Sequence, residues 1–296
     1  MDPYEELVNR VVARRGVHVL IGGMDSGKST VARRIAAAGV AEGLTVGLLD
    51  ADVGQSSIGP PTTVGFRLVR SEADLQPEAL RRADDLAFVG SISPQGHLLP
   101  LVTGTRLLLD HAREQGAELV VADTTGQVSG VYAQLLKFHK VGILKPDLVI
   151  GLARGEELEP VLGVIRRFYA TEVVTLPVHA EVVPTSVERR AQIREESMRA
   201  YFAEPLQRWR VKPTVFVPAL PDLFDISTLD RIVVGLSDGK GSCLGIGYLE
   251  FLEEDQGLRL VSPVAEAPKA LILGSVRLEE GFRARRVDLR NLLGSD

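Results

Sequence analysis

From residue 17 to about 176, short apolar runs alternate with longer stretches whose apolar residues recur at helical spacing. The runs at 17–21, 45–49, 87–92, 119–122, 148–152 and 172–176 are predominantly apolar, the mark of strands buried on both faces. Between them, 28–42, 101–114, 132–143 and 156–169 read as amphipathic helices, and Gly43 stands where a C-cap glycine belongs. A leading helix is expected over 1–16, with Tyr4, Leu7, Val11 and Val12 on its apolar side. This β/α alternation predicts a mostly parallel sheet with helices on both faces. Residues 56–65, SSIGPPTTVG, read as a turn-rich loop. The stretch 184–210 is charged and helical, with a thin apolar stripe of Val187, Ala191, Met198, Tyr201 and Phe202. After Pro213 the texture changes to short β-rich runs broken by Gly, Asp and Pro, at 215–217, 232–236, 243–251, 258–261 and 270–273. The expected organisation is a main domain over 1–212 and a small β-rich domain over 213–296.

Composition narrows the picture only a little. The chain of 296 residues is long enough for a substantial core. Its formal charge of −5 argues against a general nucleic-acid coat protein but allows a local basic groove. The single Cys243 excludes a disulfide framework and a cysteine-rich zinc site. The start, MDPYEELVNR, lacks a signal-peptide layout, and no apolar run approaches the ~20 residues of a membrane span. A cytoplasmic protein with no membrane contact is the expectation.

The chemistry begins where the first strand breaks. Gly22, Gly27, Lys28 and Ser29 fit G-x-x-x-x-G-K-[ST], a phosphate-binding loop between a buried strand and a helix. Backbone amides along Gly22, Gly23, Met24, Asp25, Ser26, Gly27, Lys28, Ser29 and Thr30 are expected to cradle a nucleotide at a helix N-terminus. Lys28 is expected to reach the β- and γ-phosphates, and Ser29 to hold Mg²⁺. The fold class that follows is α/β, a P-loop NTPase with an added β-rich domain.

Two acidic segments follow the second and fourth of these strands. Asp50 and Asp52 lie two apart, so on a strand they share a face at its carboxyl end, where ligands gather in open sheets. Either can bind Mg²⁺ or accept a proton from an acceptor hydroxyl. Asp123 follows the 119–122 run and is expected to reach the metal, with the Thr124 and Thr125 hydroxyls available to phosphates. Bland readings of both segments are solvated turns.

In the charged helix, Arg190 and Arg194 stand four apart and leave one face. Two guanidinium groups on a loosely packed helix suit a mobile lid that clamps a transferring phosphoryl group. The bland alternative is a solvated helix pairing them with Glu188, Glu195 and Glu196. Arg208, Arg210 and Lys212, and a second run of Arg283, Arg285, Arg286 and Arg290, are further candidates for nucleic-acid phosphates or simple surface charge.

Together, GGMDSGKST, DADVGQ, DTTGQVSG, LKPDLVIGL and VVPTSVERRAQIREESMRAYF occur in an order that resembles the polynucleotide 5′-hydroxyl kinase family, which includes the RNA-kinase subunit of the pre-mRNA cleavage factor. The resemblance runs from about residue 17 to 202 and continues more weakly through GLSDGKGSCLGIGYLEF. It implies transfer of the γ-phosphate of ATP or GTP to the 5′-hydroxyl end of RNA or DNA, with Mg²⁺. It implies Lys28 and Ser29 as loop lysine and metal ligand, Asp52 as the group that activates the hydroxyl, Gln55 as the close of the same motif, and Arg190 with Arg194 as lid arginines. Gln127 and Thr125 fall in the substrate-facing motif, but Gln127 stands where the family commonly has Trp, so Tyr132 is the remaining aromatic candidate for stacking a terminal base. Asp123 stands where Asn is frequent, and whereas the eukaryotic members carry an N-terminal β domain, these residues begin almost directly at the first kinase strand.

Rival readings are an ATP-binding RNA-processing scaffold without turnover, a small-molecule kinase, and a regulatory GTPase. Lys145-Pro146-Asp147 supplies only the K-x-D part of a guanine-reading motif, because Leu144 stands where Asn or Thr is needed.

Overall fold

Strand β1 (Gly16–Gly22) is buried along nearly its whole length and lies at the centre of five parallel strands. In this computed structural model, which describes residues 2–221 and 224–294, the chain opens with α1 (Pro3–Arg14), capped by the Asp2 carboxylate on the Tyr4 amide. After β1 come α2 (Lys28–Ala41), β2 (Val46–Ala51), β3 (Thr63–Val69), the single turn α3 (Pro77–Leu80), β4 (Asp85–Phe88), α4 (Leu98–Glu114) and β5 (Leu119–Thr124). Then follow α5 (Gly130–Leu144), β6 (Leu148–Ala153), α6 (Glu159–Phe168), β7 (Glu172–Pro177) and α7 (Val187–Tyr201).

The parallel strands lie in the order β2-β5-β1-β6-β7. The neighbours of β1 come from later in the chain on both sides, so its carboxyl tip is a switch point of the topology, where a crevice opens. Alternation along β1 sorts the two cores. Leu20 faces Leu7, Val11 and Ile35 of α1 and α2. Val19 and Ile21 face the other layer, with Leu101, Leu108, Leu136 and Ile165 of α4, α5 and α6. Burying each such side chain contributes roughly 1.5–3 kcal/mol. The expected α/β sheet with helices on both faces is therefore present.

Three expectations need correction. Residues 63–65 read as the end of a loop, yet they begin β3, which runs antiparallel to β2 with Asp50 opposite Gly65. Pro60 and Pro61 mark the turn, but the β-branched and aromatic residues after them (Thr63, Val64, Phe66) are fully buried and pair as a strand. The strand expected at 87–92 is β4, four residues ending at Phe88, and Gly90 turns the chain away with φ +76°. The helix expected over 184–210 stops at Tyr201, and Gln207–Val211 is a strand, β8. Alternating exposed charges there (Arg208, Arg210) belong to a half-exposed strand rather than a helix face.

Strand β8 pairs with β12 (Gly257–Ser262), which pairs with β11 (Cys243–Leu252). With β9 (Phe216–Val217), β10 (Ile232–Ser237), β13 (Ala270–Leu278) and β14 (Ala284–Arg286) they form an extension that is antiparallel except where β9 runs parallel to β13, joined to the main sheet at the Cys243–Leu86 pairing of β11 and β4. The short helix α8 (Leu289–Leu293) follows. The end of α7 packs on this extension: Met198 and Phe202 are buried with Val233, Ile246, Tyr248 and Val276. Tyr201 donates to the Ile246 carbonyl and accepts from its amide.

Candidate active site

The turn after β1 carries the phosphate loop as the motif requires. Gly22 allows Ser26 to fold close, because a Cβ there would lie 2.4 Å from the Ser26 hydroxyl. Gly27 takes φ +84° and leads into α2 with no side-chain cap on that helix, so its first amides face the loop's hollow. Lys28 is buried and its Nζ folds back onto the Gly23 carbonyl at 2.8 Å. Arg154, at the carboxyl end of β6, donates to the Met24 carbonyl at 3.1 Å and to the Asp25 carbonyl. Sequence reasoning passed over Arg154; its place just past a parallel-strand tip was the available signal.

Register brings the acidic residues to the same end of the sheet. Asp50 on β2 pairs laterally with Asp123 on β5, and Asp123 with Leu20 on β1. Ser29 donates to Asp123 Oδ2 at 2.5 Å, while Asp123 Oδ1 is buried with no hydrogen-bond partner among the described residues. Burial raises the pKa of Asp123, opposed by Lys28 and the Ser29 hydroxyl. A hydroxyl beside an unsatisfied carboxylate oxygen, at the mouth of a phosphate loop, is the hard-oxygen donor set that suits Mg²⁺. Among the described residues no cluster of three or more His, Cys, Asp or Glu holds a metal alone, so the phosphates would complete the shell.

Asp50 and Asp52 do not act alike. The sequence makes Asp50 a candidate metal ligand, and the structure corrects this because its carboxylate is already engaged. Its Oδ2 accepts from the Ser57 amide (2.6 Å), the Ser57 hydroxyl (2.7 Å) and the Ile58 amide (3.3 Å), and its Oδ1 from the Asp52 amide. It lies under the floor and fixes the 56–58 turn. Burial, then the charges of Asp123 and Asp52, push its pKa up to about 7. Asp52 lines the open cleft. Only its Oδ1 is engaged, by the Gly54 and Gln55 amides at 3.1 Å.

Across the cleft, which encloses about 890 Å³, stand Arg190 and Arg194 of α7. Arg190 pairs with Asp25 of the phosphate loop at 2.6 Å, with both side chains largely covered. Burial works against ionisation of Asp25, but the Thr185 amide and Arg190 outweigh it and its pKa is lowered. Arg194 makes no ion pair among the described residues. Burial lowers its pKa, while Asp52 holds it up. The structure thus brings Lys28, Ser29, Asp52, Asp123, Arg190 and Arg194 to one cleft.

The substrate-side candidates divide. Thr125 and Gln127 line the cleft. Gln55 also lines it, but its amide is spent on the Arg190 carbonyl at 3.1 Å, so it ties the acidic turn to the lid. Thr124 was expected to face phosphates; instead it is fully buried and donates to the Leu20 carbonyl at 2.7 Å, because the strand's alternation turns it inward. The Tyr132 hydroxyl accepts from the Gly96 amide and its ring is not among the cleft's lining residues. Asp147 lies at the amino end of β6, where it accepts from the Val17 amide at 2.8 Å, so its K-x-D segment is remote from the nucleotide end of the sheet. The outlying basic runs are partly neutralised: Arg283 and Arg285 pair with Glu279, Arg208 with Glu204, and Arg210 with Asp255.

Comparison with known proteins bears on the family and the fold. Residues 22–204 match the family model described as mRNA cleavage and polyadenylation factor CLP1 P-loop. Similar relatives include polyribonucleotide 5′-hydroxyl-kinases of Methanocaldococcus jannaschii (28% identical, covering 88% of this chain and 87% of that protein) and Pyrococcus furiosus (27%, 88% and 87%). The polyribonucleotide 5′-hydroxyl-kinase Clp1 of Xenopus tropicalis is 27% identical over 95% of this chain and 63% of its own length. Among solved structures, Clp1p in complex with a Pcf11p segment superposes with a TM-score of 0.72 at 14% identity, covering 93% of this chain and 78% of that one.

Proposed function

This chain belongs to the CLP1 P-loop family, and from that premise we propose that it is a polynucleotide 5′-hydroxyl kinase. It moves the γ-phosphoryl group of ATP or GTP to the 5′-hydroxyl of RNA or DNA. The observation that carries the reading is the shared cleft of Asp52 from a strand tip and Arg194 from a late helix, either side of the phosphate loop.

Each residue then has a task. Lys28 exchanges the Gly23 carbonyl for β- and γ-phosphate oxygens. Ser29 and Asp123 would hold Mg²⁺, which when bound neutralises charge on the phosphates. Asp52 accepts the proton as the 5′-oxygen bonds to the γ-phosphorus and the bond to the β-γ bridging oxygen breaks, releasing the nucleoside diphosphate. Arg194, joined by Arg190 once it leaves Asp25, stabilises charge on the transferring oxygens. Thr125 and Gln127 border the acceptor. Residues up to the end of α7 carry this chemistry, with α7 as the lid; the boundary expected at 212 moves back to before β8, since Gln207–Val211 pairs with β12, and the β-rich extension from β8 onward anchors the lid. No described helix is long and apolar enough to cross a membrane.

The deciding experiment is end-labelling of matched 5′-hydroxyl RNA and DNA oligomers with each γ-labelled triphosphate and Mg²⁺. Transfer to at least one oligomer is expected. Nucleotide binding without transfer under any of these conditions would leave an assembly factor rather than a kinase.

A further inference from the structure

Beneath the cleft lie two lysines that the proposed chemistry does not use. Lys137 and Lys140 stand three apart on α5 and are both fully buried. Lysine is almost never buried without a partner, since an unpaired ammonium in the interior is costly. The two differ in how they meet that cost. Lys137 Nζ donates to Thr124 Oγ1 at 2.8 Å, to the Thr125 carbonyl at 2.6 Å and to Thr125 Oγ1 at 3.3 Å. Three donors meet three acceptors, the full capacity of an ammonium. Lys140 Nζ has no hydrogen-bond partner among the described residues.

The acceptors of Lys137 are the two residues that follow Asp123. Thr124 in turn donates to the Leu20 carbonyl of β1, two residues before Gly22. Thr125 lines the cleft, and Gly126 packs so tightly on the phosphate loop that a Cβ there would lie 2.8 Å from the Met24 amide nitrogen. One buried lysine therefore joins α5, the tip of β5 and, through Thr124, the strand that feeds the phosphate loop.

We propose that Lys137 is a positioning residue for phosphoryl transfer: its three hydrogen bonds hold the segment from Asp123 to Gly126 so that Asp123 meets Ser29 and Thr125 walls the acceptor side. This rests on the kinase reading above. A lysine that merely fills space would be replaced by methionine, of similar length, with no selective effect on turnover. A positioning lysine would lose rate in the chemical step, since a displacement of about 1 Å in a reacting constellation costs about 10²-fold.

The test is Lys137→Met in the full chain, with wild type in the same assay on 5′-hydroxyl oligomers. The expected result is a kcat lower by about 10²-fold with KM for ATP within about twofold of wild type. An inactive wild type sinks the kinase reading itself. An active wild type with Lys137→Met at undiminished kcat, or with a loss carried by KM for ATP, overturns the positioning role and leaves the kinase reading standing. Should Lys137→Met fail to fold, Thr124→Val removes one acceptor while keeping shape. Reduced kcat at unchanged KM in that variant upholds the proposal, and wild-type kcat overturns it.

Discussion

On one side of the cleft, Asp52 and Asp123 stand at the ends of adjacent parallel strands spaced by backbone register, and Lys28 opens α2 beyond the turn that follows β1. On the other, Arg190 and Arg194 come from α7, whose first half is solvated and whose last turn alone is buried. The floor is held by many short-range constraints: a saturated Asp50, a Ser29–Asp123 bond, a lysine beneath. The lid is held at one end by Met198, Tyr201 and Phe202 and at the other by Asp25, which grips Arg190, and Gln55. On the proposed kinase reading, the difference teaches that the floor offers nucleotide a preset geometry, whereas the lid's cations would be delivered by a lever anchored in the C-terminal sheet. Segments with few buried apolar contacts open at low free energy, which is what delivery requires.

The sharpest way to separate the two sides is Asp52→Asn. Transfer should fall by about 10⁴-fold, the upper range for loss of a general base, while equilibrium binding of a fluorescent ATP analogue stays within about twofold. Retained turnover would remove Asp52 from the floor's chemistry. Next, Arg194→Ala should cost about 10³-fold in kcat, and Arg190→Ala less, because Arg190 shares its charge with Asp25. Steady-state kinetics on an oligonucleotide decide between them, and equal losses would erase the distinction drawn between the arginines. Met198→Ala acts on the lever's anchor. Truncating this fully buried side chain should lower stability by about 3 kcal/mol in thermal unfolding and reduce kcat by a smaller factor than either arginine change.

The last prediction concerns pH and the floor alone, and leaves turnover aside. Burial lowers the Lys140 pKa from 10.5 to about 8, against the pull of Asp52, Asp123 and Asp50. Its folded value lies below its unfolded one, so the charged lysine costs stability below pH 8, and that cost fades between pH 8 and about 10.5. Lys140→Met should therefore raise thermal stability at pH 7 by up to roughly 3 kcal/mol, with the gain shrinking above pH 8. A pH-independent difference in melting temperature would contradict this account of the buried charge.

Much of this arrangement was legible in the chain, for local reasons. The phosphate loop is a contiguous string whose glycines and helix start impose its shape, and Arg190 with Arg194 need only helical spacing to share a face. The failures have physical causes too. Two residues apart on a strand means one face, which made Asp50 and Asp52 look equivalent; but β2 ends at Ala51, so Asp52 turns into the cleft while Asp50 stays in the sheet and is saturated by the 56–58 turn. Strand β8 reads as charged helix because its partner, β12, lies some fifty residues further on. Lys137 and Lys140 pass for surface lysines in any hydrophobicity pattern, because only the neighbouring strand tip reveals that their side of α5 is covered.

What the chain determined by itself was the nucleotide-binding turn, the β/α alternation and the family, since each rests on contiguous residues or short periodic spacing. What the tertiary structure alone decided was which carboxylate faces the cleft, where the lid is anchored and which cations lie beneath the floor. Those outcomes depend on pairings between strands and helices far apart in sequence, and on the burial those pairings create. Side-chain pattern records that a residue is polar; only packing decides whether its partner is water, a backbone amide or a substrate.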